Sequence, residues 1–174
     1  MNPSKIALAV ATSLFLATAF AQSGPTDPQI AGIVVTANKI DVDAGKLAKS
    51  RTKNKEVSKF AQQMITDHTA VNKQAGALAK KLKVKPEDSD TSRSLKAGAA
   101  DNIKNLKGLK GAAFDKAYVD HEVVYHQAVL DAIDKVLIPN AKNAELKDLI
   151  VKVRPAIAAH LDHAKMIQGD LAKK

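Results

Sequence analysis

Four side chains able to hold a metal ion recur where a helical protein buries its apolar residues. His68 falls in the series Val57, Ala61, Met64, His68, Val71, Ala75, Leu78, Leu82, and His126 in the series Val119, Val123, His126, Leu130, Ile133, Leu137. His160 falls in a third, Leu146, Ile150, Val153, Ile157, His160, Ala164, Ile167, Leu171, and Asp41 stands beside Val34, Ala37, Ala44 and Ala48 in another. Spacings of three and four put each series on one face of a helix, and that face turns toward a core. Three imidazoles and a carboxylate from four separate helices form a ligand set suited to one transition-metal ion: zinc, copper or iron.

Around these four stand possible supporting groups. Glu122 precedes His126 by one turn and His163 follows His160 by one turn, so both are further ligands or partners, and Asp67 is placed to orient a neighbouring imidazole. The same groups without an ion would make a buried hydrogen-bonded network that sets helix register. A di-iron ferroxidase needs Glu-x-x-His pairs. The four glutamates, Glu56, Glu87, Glu122 and Glu145, never stand three residues before a histidine, which excludes that chemistry. His121 leaves the apolar face by the 100° step and is expected at the surface; Met64 and Met166 are expected to fill the core. No serine or threonine context suggests an activated nucleophile, no Gly-rich phosphate loop is present, and the absence of cysteine removes thiolate sites and disulfides. No enzymatic reaction is identified.

The elements that must carry these residues are helices. The 174 residues are 45% hydrophobic but only 3% aromatic, so a core has to be built from Ala, Leu, Ile and Val at close spacing, which favours helix on helix. A first helix carries Ile30, Ile33, Val34, Ala37, Ile40, Ala44, Leu47 and Ala48. Asn54 is placed to cap a second, which ends near Lys85-Pro86. Residues Thr91 to Leu106 predict a short connecting helix. A third long helix starts near Ala112 and closes at Pro139-Asn140, and a fourth starts near Asn143, with a kink or break expected at Pro155. Two hairpins joined by a crossover make the fold class all-α: a ferritin-like four-helix bundle with a short crossover helix. A simple up-down bundle with an ordered connector is the other arrangement open to these elements.

Ahead of the bundle, Lys5, the apolar run Ile6 to Ala19 and the small-x-small site Ala19-Phe20-Ala21 have the form of a secretory signal. The expected organisation is a signal peptide over 1–21, a linker over 22–28 and the bundle over 29–172. The expected location is therefore the periplasm or the outer membrane.

The segment Met64-Ile65-Thr66-Asp67-His68, the run Gly111-Ala112-Ala113-Phe114-Asp115-Lys116-Ala117-Tyr118-Val119 followed by His126, and Pro155 with His160-Leu161 resemble the bacterial domain-of-unknown-function family 4142. The resemblance covers about Gln29 to Leu171. It implies a ferritin-like fold in an exported bacterial protein, with Asp67, His68, Phe114, Asp115, Tyr118, His126 and His160 at matching positions. The family usually has Glu where this chain has Asp41. Its biochemical role is unassigned.

Three functions compete on these observations. The first is a non-enzymatic envelope protein, in metal handling or stress response, whose buried His/Asp cluster binds or senses a metal. The second is a structural or interaction module whose basic helix faces contact an anionic envelope surface, since the formal net charge is +9. The third, ranked last, is a small metal-dependent oxidoreductase. Export and the scarcity of aromatics among the lysines argue against nucleic acid as a partner. Oligomeric state is not legible in the chain.

Overall fold

The computed structural model describes residues 24–173. The expected signal peptide, and the first two residues of the expected linker, lie outside the described residues. Within them the chain is helical, with no strand. Helix α1 spans Asp27–Arg51, α2 Lys55–Leu82, α3 Asp90–Gly108 and α4 Gly111–Ala132. A π turn, Ile133–Leu137, and a last turn, α5 (Ile138–Asn140), continue α4 in one rod, and α6 spans Ala144–Leu171.

Local chemistry sets the ends. Thr26 and Gln29 form a capping box at the start of α1, whose first two residues, Asp27 and Pro28, replace the end of the expected linker. Asn54 accepts from the N–H groups of Glu56 and Val57 at the start of α2, and Asn143 from that of Leu146 at the start of α6. At the far end of α2 the chain turns through Lys83 in the left-handed region, φ 56°. The π turn lies just before Pro139: Ile138 N–H reaches back to Ile133 O, five residues away, and Pro139 itself has no N–H to give.

Pro155 does not break α6, the stronger of the two outcomes expected there. It sits inside the helix on the exposed side, and the carbonyl it leaves without a donor, that of the exposed Val151, can be hydrated. Met166 also departs from expectation, being 57% exposed while its neighbour Ile167 takes the core position.

The three-residue connections after α1 and after α5 make two antiparallel hairpins, α1 with α2 and α4–α5 with α6. The connector between them is a full helix of 19 residues rather than a short one. It starts where Glu87 N–H donates to Pro28 O beside the first turn of α1. It ends where the Arg51 guanidinium, at the last turn of α1, donates to the carbonyls of Leu106 and Lys107. Helix α3 therefore runs the length of the bundle in the direction of α1, packed on α1 and α4. Asp27 fastens the other hairpin to the same end by accepting from the N–H groups of Lys142 and Asn143.

Two apolar cores fill the bundle. One gathers Ile30, Ile33, Leu130, Leu137, Ile150 and Ile157; the other gathers Ala48, Phe60, Met64, Leu106, Tyr118 and Ile167. In sequence, on α1, α2 and α4 the polar residues of interest fall between the members of one core and those of the other, and on α6 His160 stands beside Leu161, the last residue there of the first core, ahead of Ala164 and Ile167 of the second. These polar residues form a single layer across mid-bundle.

Candidate metal centre

The layer holds Asn38 and Asp41 from α1, His68 from α2, Glu122 and His126 from α4, and His160 from α6, all buried. The histidine levels agree because α4 and its continuation stay helical to Asn140. His126 is 140 − 126 = 14 residues from that end and His160 is 160 − 144 = 16 from the start of α6. Two residues of rise are about 3 Å. The ring centroids of His68, His126 and His160 lie 5.2, 5.5 and 5.7 Å apart in pairs. One ligand nitrogen from each lies within 4.8 Å of those from the other two.

Each imidazole has one nitrogen tied to an oxygen. Asn38 Nδ2 donates to Val34 O at 2.8 Å, which leaves Asn38 Oδ1 facing His68 Nδ1 at 2.8 Å. That oxygen only accepts, so Nδ1 of His68 carries the proton. His126 Nδ1 donates to the main-chain carbonyl of Glu122 at 3.0 Å, and His160 Nε2 to the Asp67 carboxylate at 2.9 Å. The opposite nitrogens, Nε2 of His68, Nε2 of His126 and Nδ1 of His160, are buried and have no hydrogen-bond partner. Fixing one imidazole nitrogen with an oxygen acceptor, so that the other presents its lone pair, is how proteins orient histidine ligands.

Asp41 is placed differently from the sequence expectation of a single four-ligand centre. It groups with Glu122 and His126, not with the three imidazoles. Its Oδ2 is 3.5 Å from His68 Nδ1, the nitrogen that already serves Asn38, and Glu122 Oε2 is 3.4 Å from His126 Nδ1. Asp41 and Glu122 thus sit beside the protonated nitrogens of two histidines. Both Glu122 oxygens and Asp41 Oδ1 lack hydrogen-bond partners. Of the other residues singled out in the sequence, Asp67 joins the site as the acceptor of His160, whereas His163 bonds Gln63 Oε1 and packs edge-on against Phe60, outside it.

A family model described as a domain of unknown function (DUF4142) matches residues 15–167. The chain belongs to the DUF4142 family. No curated protein and no solved structure matches it. All six residues of the polar layer in this DUF4142 member, and Asp67, lie within the matched span.

Burial and charge divide the protonation states. Burial, helped by the neighbouring imidazoles, pushes His68 down to about 3. Burial also lowers His160, against the opposing pull of Asp67. For His126 burial again works downward, but its hydrogen bond to Glu122 and the charges of Asp41 and Glu122 outweigh it and raise the group to about 8. Burial first, then the charge of Glu122, holds Asp41 well above the ordinary carboxylate range. At neutral pH two of the imidazoles are free bases, and His126 is protonated against its acidic neighbours. An arriving cation must displace that one proton.

Asn38 was missed in the sequence, although its signal is there: a second polar residue on the apolar face of α1, one turn after Val34. His121 was expected at the surface but is half-buried, stacked on Tyr125 with centroids 5.6 Å apart, because α3 covers that side of α4.

Proposed function

We propose that this protein binds one transition-metal ion through His68, His126 and His160, inside a ferritin-like bundle exported to the bacterial envelope. The observation that carries the reading is the set of three buried imidazole nitrogens without partners, each on a ring whose other nitrogen is held by an oxygen. In a purely structural network those nitrogens would have found donors, because an unmade buried hydrogen bond costs about 1–3 kcal/mol. Nitrogen-only donors at this spacing suit copper and zinc, with Cu2+ the tighter of the two. The acidic side chains of Asp41 and Glu122, beside Nδ1 of His68 and of His126, support a divalent ion as groups that can gain charge behind the rings when it arrives. The ferritin-like assignment is supported by the two hairpins and the full-length crossover α3, and export by Lys5 and the apolar run that follows it. No helix among the described residues is long and apolar enough to cross a membrane.

Metal analysis of untagged protein tests this. Titration with Cu2+ or Zn2+ at pH 8 is expected to saturate at about one ion per chain, and His68→Ala and His160→Ala to lose at least 100-fold in affinity. Saturation unaffected by either substitution would overturn the assignment, as would retention of no ion by the folded wild-type protein.

A further inference from the structure

The polar layer contains a second group of metal-ligating side chains: Asp41 from α1 and Glu122 and His126 from α4, with one ligand atom of each within 4.8 Å of those of the other two. All three are buried, at 3%, 1% and 1% exposure. The carboxyl groups of Asp41 and Glu122 lie within hydrogen-bonding reach of each other, and Glu122 Oε2 is 3.4 Å from His126 Nδ1. Yet no donor in the protein reaches Asp41 Oδ1 or either oxygen of Glu122. Two carboxylates this close and out of water cannot both keep their charge unaided, because a buried charge is paired with an opposite one or coordinates a metal. A shared proton meets that need in the metal-free chain. A divalent cation meets it for both carboxylates at once.

The donor set selects the ion. Two carboxylates and one imidazole are oxygen-rich, which suits the harder divalent ions, manganese among them, whereas the all-nitrogen trio suits copper and zinc. The single nitrogen disfavours Mg2+ and Ca2+, which take oxygen ligands. His126 belongs to both groups. A neutral imidazole has one lone pair. While its Nε2 serves the trio, Nδ1 keeps its proton on the Glu122 carbonyl and cannot bind a second ion. We propose that Asp41, Glu122 and His126 form an alternative cation site for an oxygen-preferring divalent ion of the Mn2+ class, and that this site and the three-imidazole site exclude each other through His126. On binding there, the ring proton moves from Nδ1 to Nε2 and the proton shared by the carboxyls leaves to solvent. The exclusion rests on the three-imidazole reading above; Mn2+ binding by itself does not.

Mn2+ is the probe, added to metal-free, untagged protein at pH 8 and followed by electron paramagnetic resonance. About one Mn2+ per chain is expected to bind. Asp41→Asn and Glu122→Gln, which keep side-chain size, should each weaken it by about tenfold or more, whereas His68→Ala and His160→Ala should leave it nearly unchanged. Should the carboxamide variants not fold, the wild type still decides, because its bound Mn2+ should show the coupling of a single imidazole nitrogen. Protein already holding one Zn2+ should take up no Mn2+. Absence of Mn2+ binding, binding indifferent to both carboxamide variants, coupling to no nitrogen or to three, or simultaneous occupancy by Zn2+ and Mn2+ would each overturn the proposal. The three-imidazole assignment fails by a different result, Zn2+ affinity unmoved by His68→Ala and His160→Ala, so the two failures are distinguishable.

Discussion

What turns three histidines into a ligand set is the position of their protons. Asn38, the Glu122 carbonyl and Asp67 each take one N–H, the nitrogens left over have no partner, and one nitrogen of each ring lies within 4.8 Å of one from each of the other two. Asp67 is the partner easiest to remove cleanly, being half-exposed and hydrogen-bonded to His160 alone. Asp67→Asn is expected to weaken Zn2+ binding by about 10–100-fold without unfolding the chain; isothermal titration measures it, and unchanged affinity would show that Asp67 does not orient His160. His126 gives the pH dependence its sign. Because its folded value is about 8, a proton competes with the ion below that value and is absent above it. Metal affinity should therefore climb about tenfold per pH unit from 6 to 8 and then level off. A profile that levels off at 6.5 would place His126 outside the coordination. At this scale the sequence was informative about which histidines face inward, since apolar periodicity reports burial. It was silent about Asn38 and about the separation of Asp41 from the imidazoles, because side-chain rotamers, not helical phase, decide those.

At the scale of elements, caps and close contacts fix the rods that carry the site. Asn54 and Asn143 were legible as caps because a short acceptor before an apolar-periodic run has a direct local cause. The end of the third rod at Pro139-Asn140 was legible too, but the π turn ahead of it and the continuation of α6 through Pro155 were not. Pro139 is accommodated by a π turn and Pro155 by exposure. Two glycines expose the tertiary constraint. A Cβ on Gly32 would lie 2.0 Å from Glu87 O, where the chain entering α3 crosses α1, whereas one on Gly76 in α2 meets nothing within 4 Å. Overpacking costs about 1–3 kcal/mol, and replacing helical Gly by Ala returns up to about 1 kcal/mol. Gly32→Ala should thus destabilise by about 1–2 kcal/mol and Gly76→Ala stabilise by about 0.5–1 kcal/mol in urea unfolding. The same sign for both would contradict the close approach of α3 to α1.

Across the whole molecule, a polar layer divides two apolar cores and adjoins a void, an arrangement that sacrifices stability. The open space beside the layer forgoes packing contacts, and the buried carboxylates add a desolvation penalty. Surface ion pairs such as Lys39–Asp43 and Lys135–Asp131 return little, since both partners are largely exposed. The two hairpins and a crossover were readable from loop lengths. The extent of α3 was nearly so, Thr91 to Leu106 against Asp90–Gly108; its direction was not, because few of its residues face a core. The central claim is coordination by His68, His126 and His160, and X-ray absorption on Zn2+-loaded untagged protein at pH 8 tests it most directly. The account predicts three imidazole nitrogens at about 2.0–2.1 Å; a shell of oxygens alone, or a single imidazole, would contradict it.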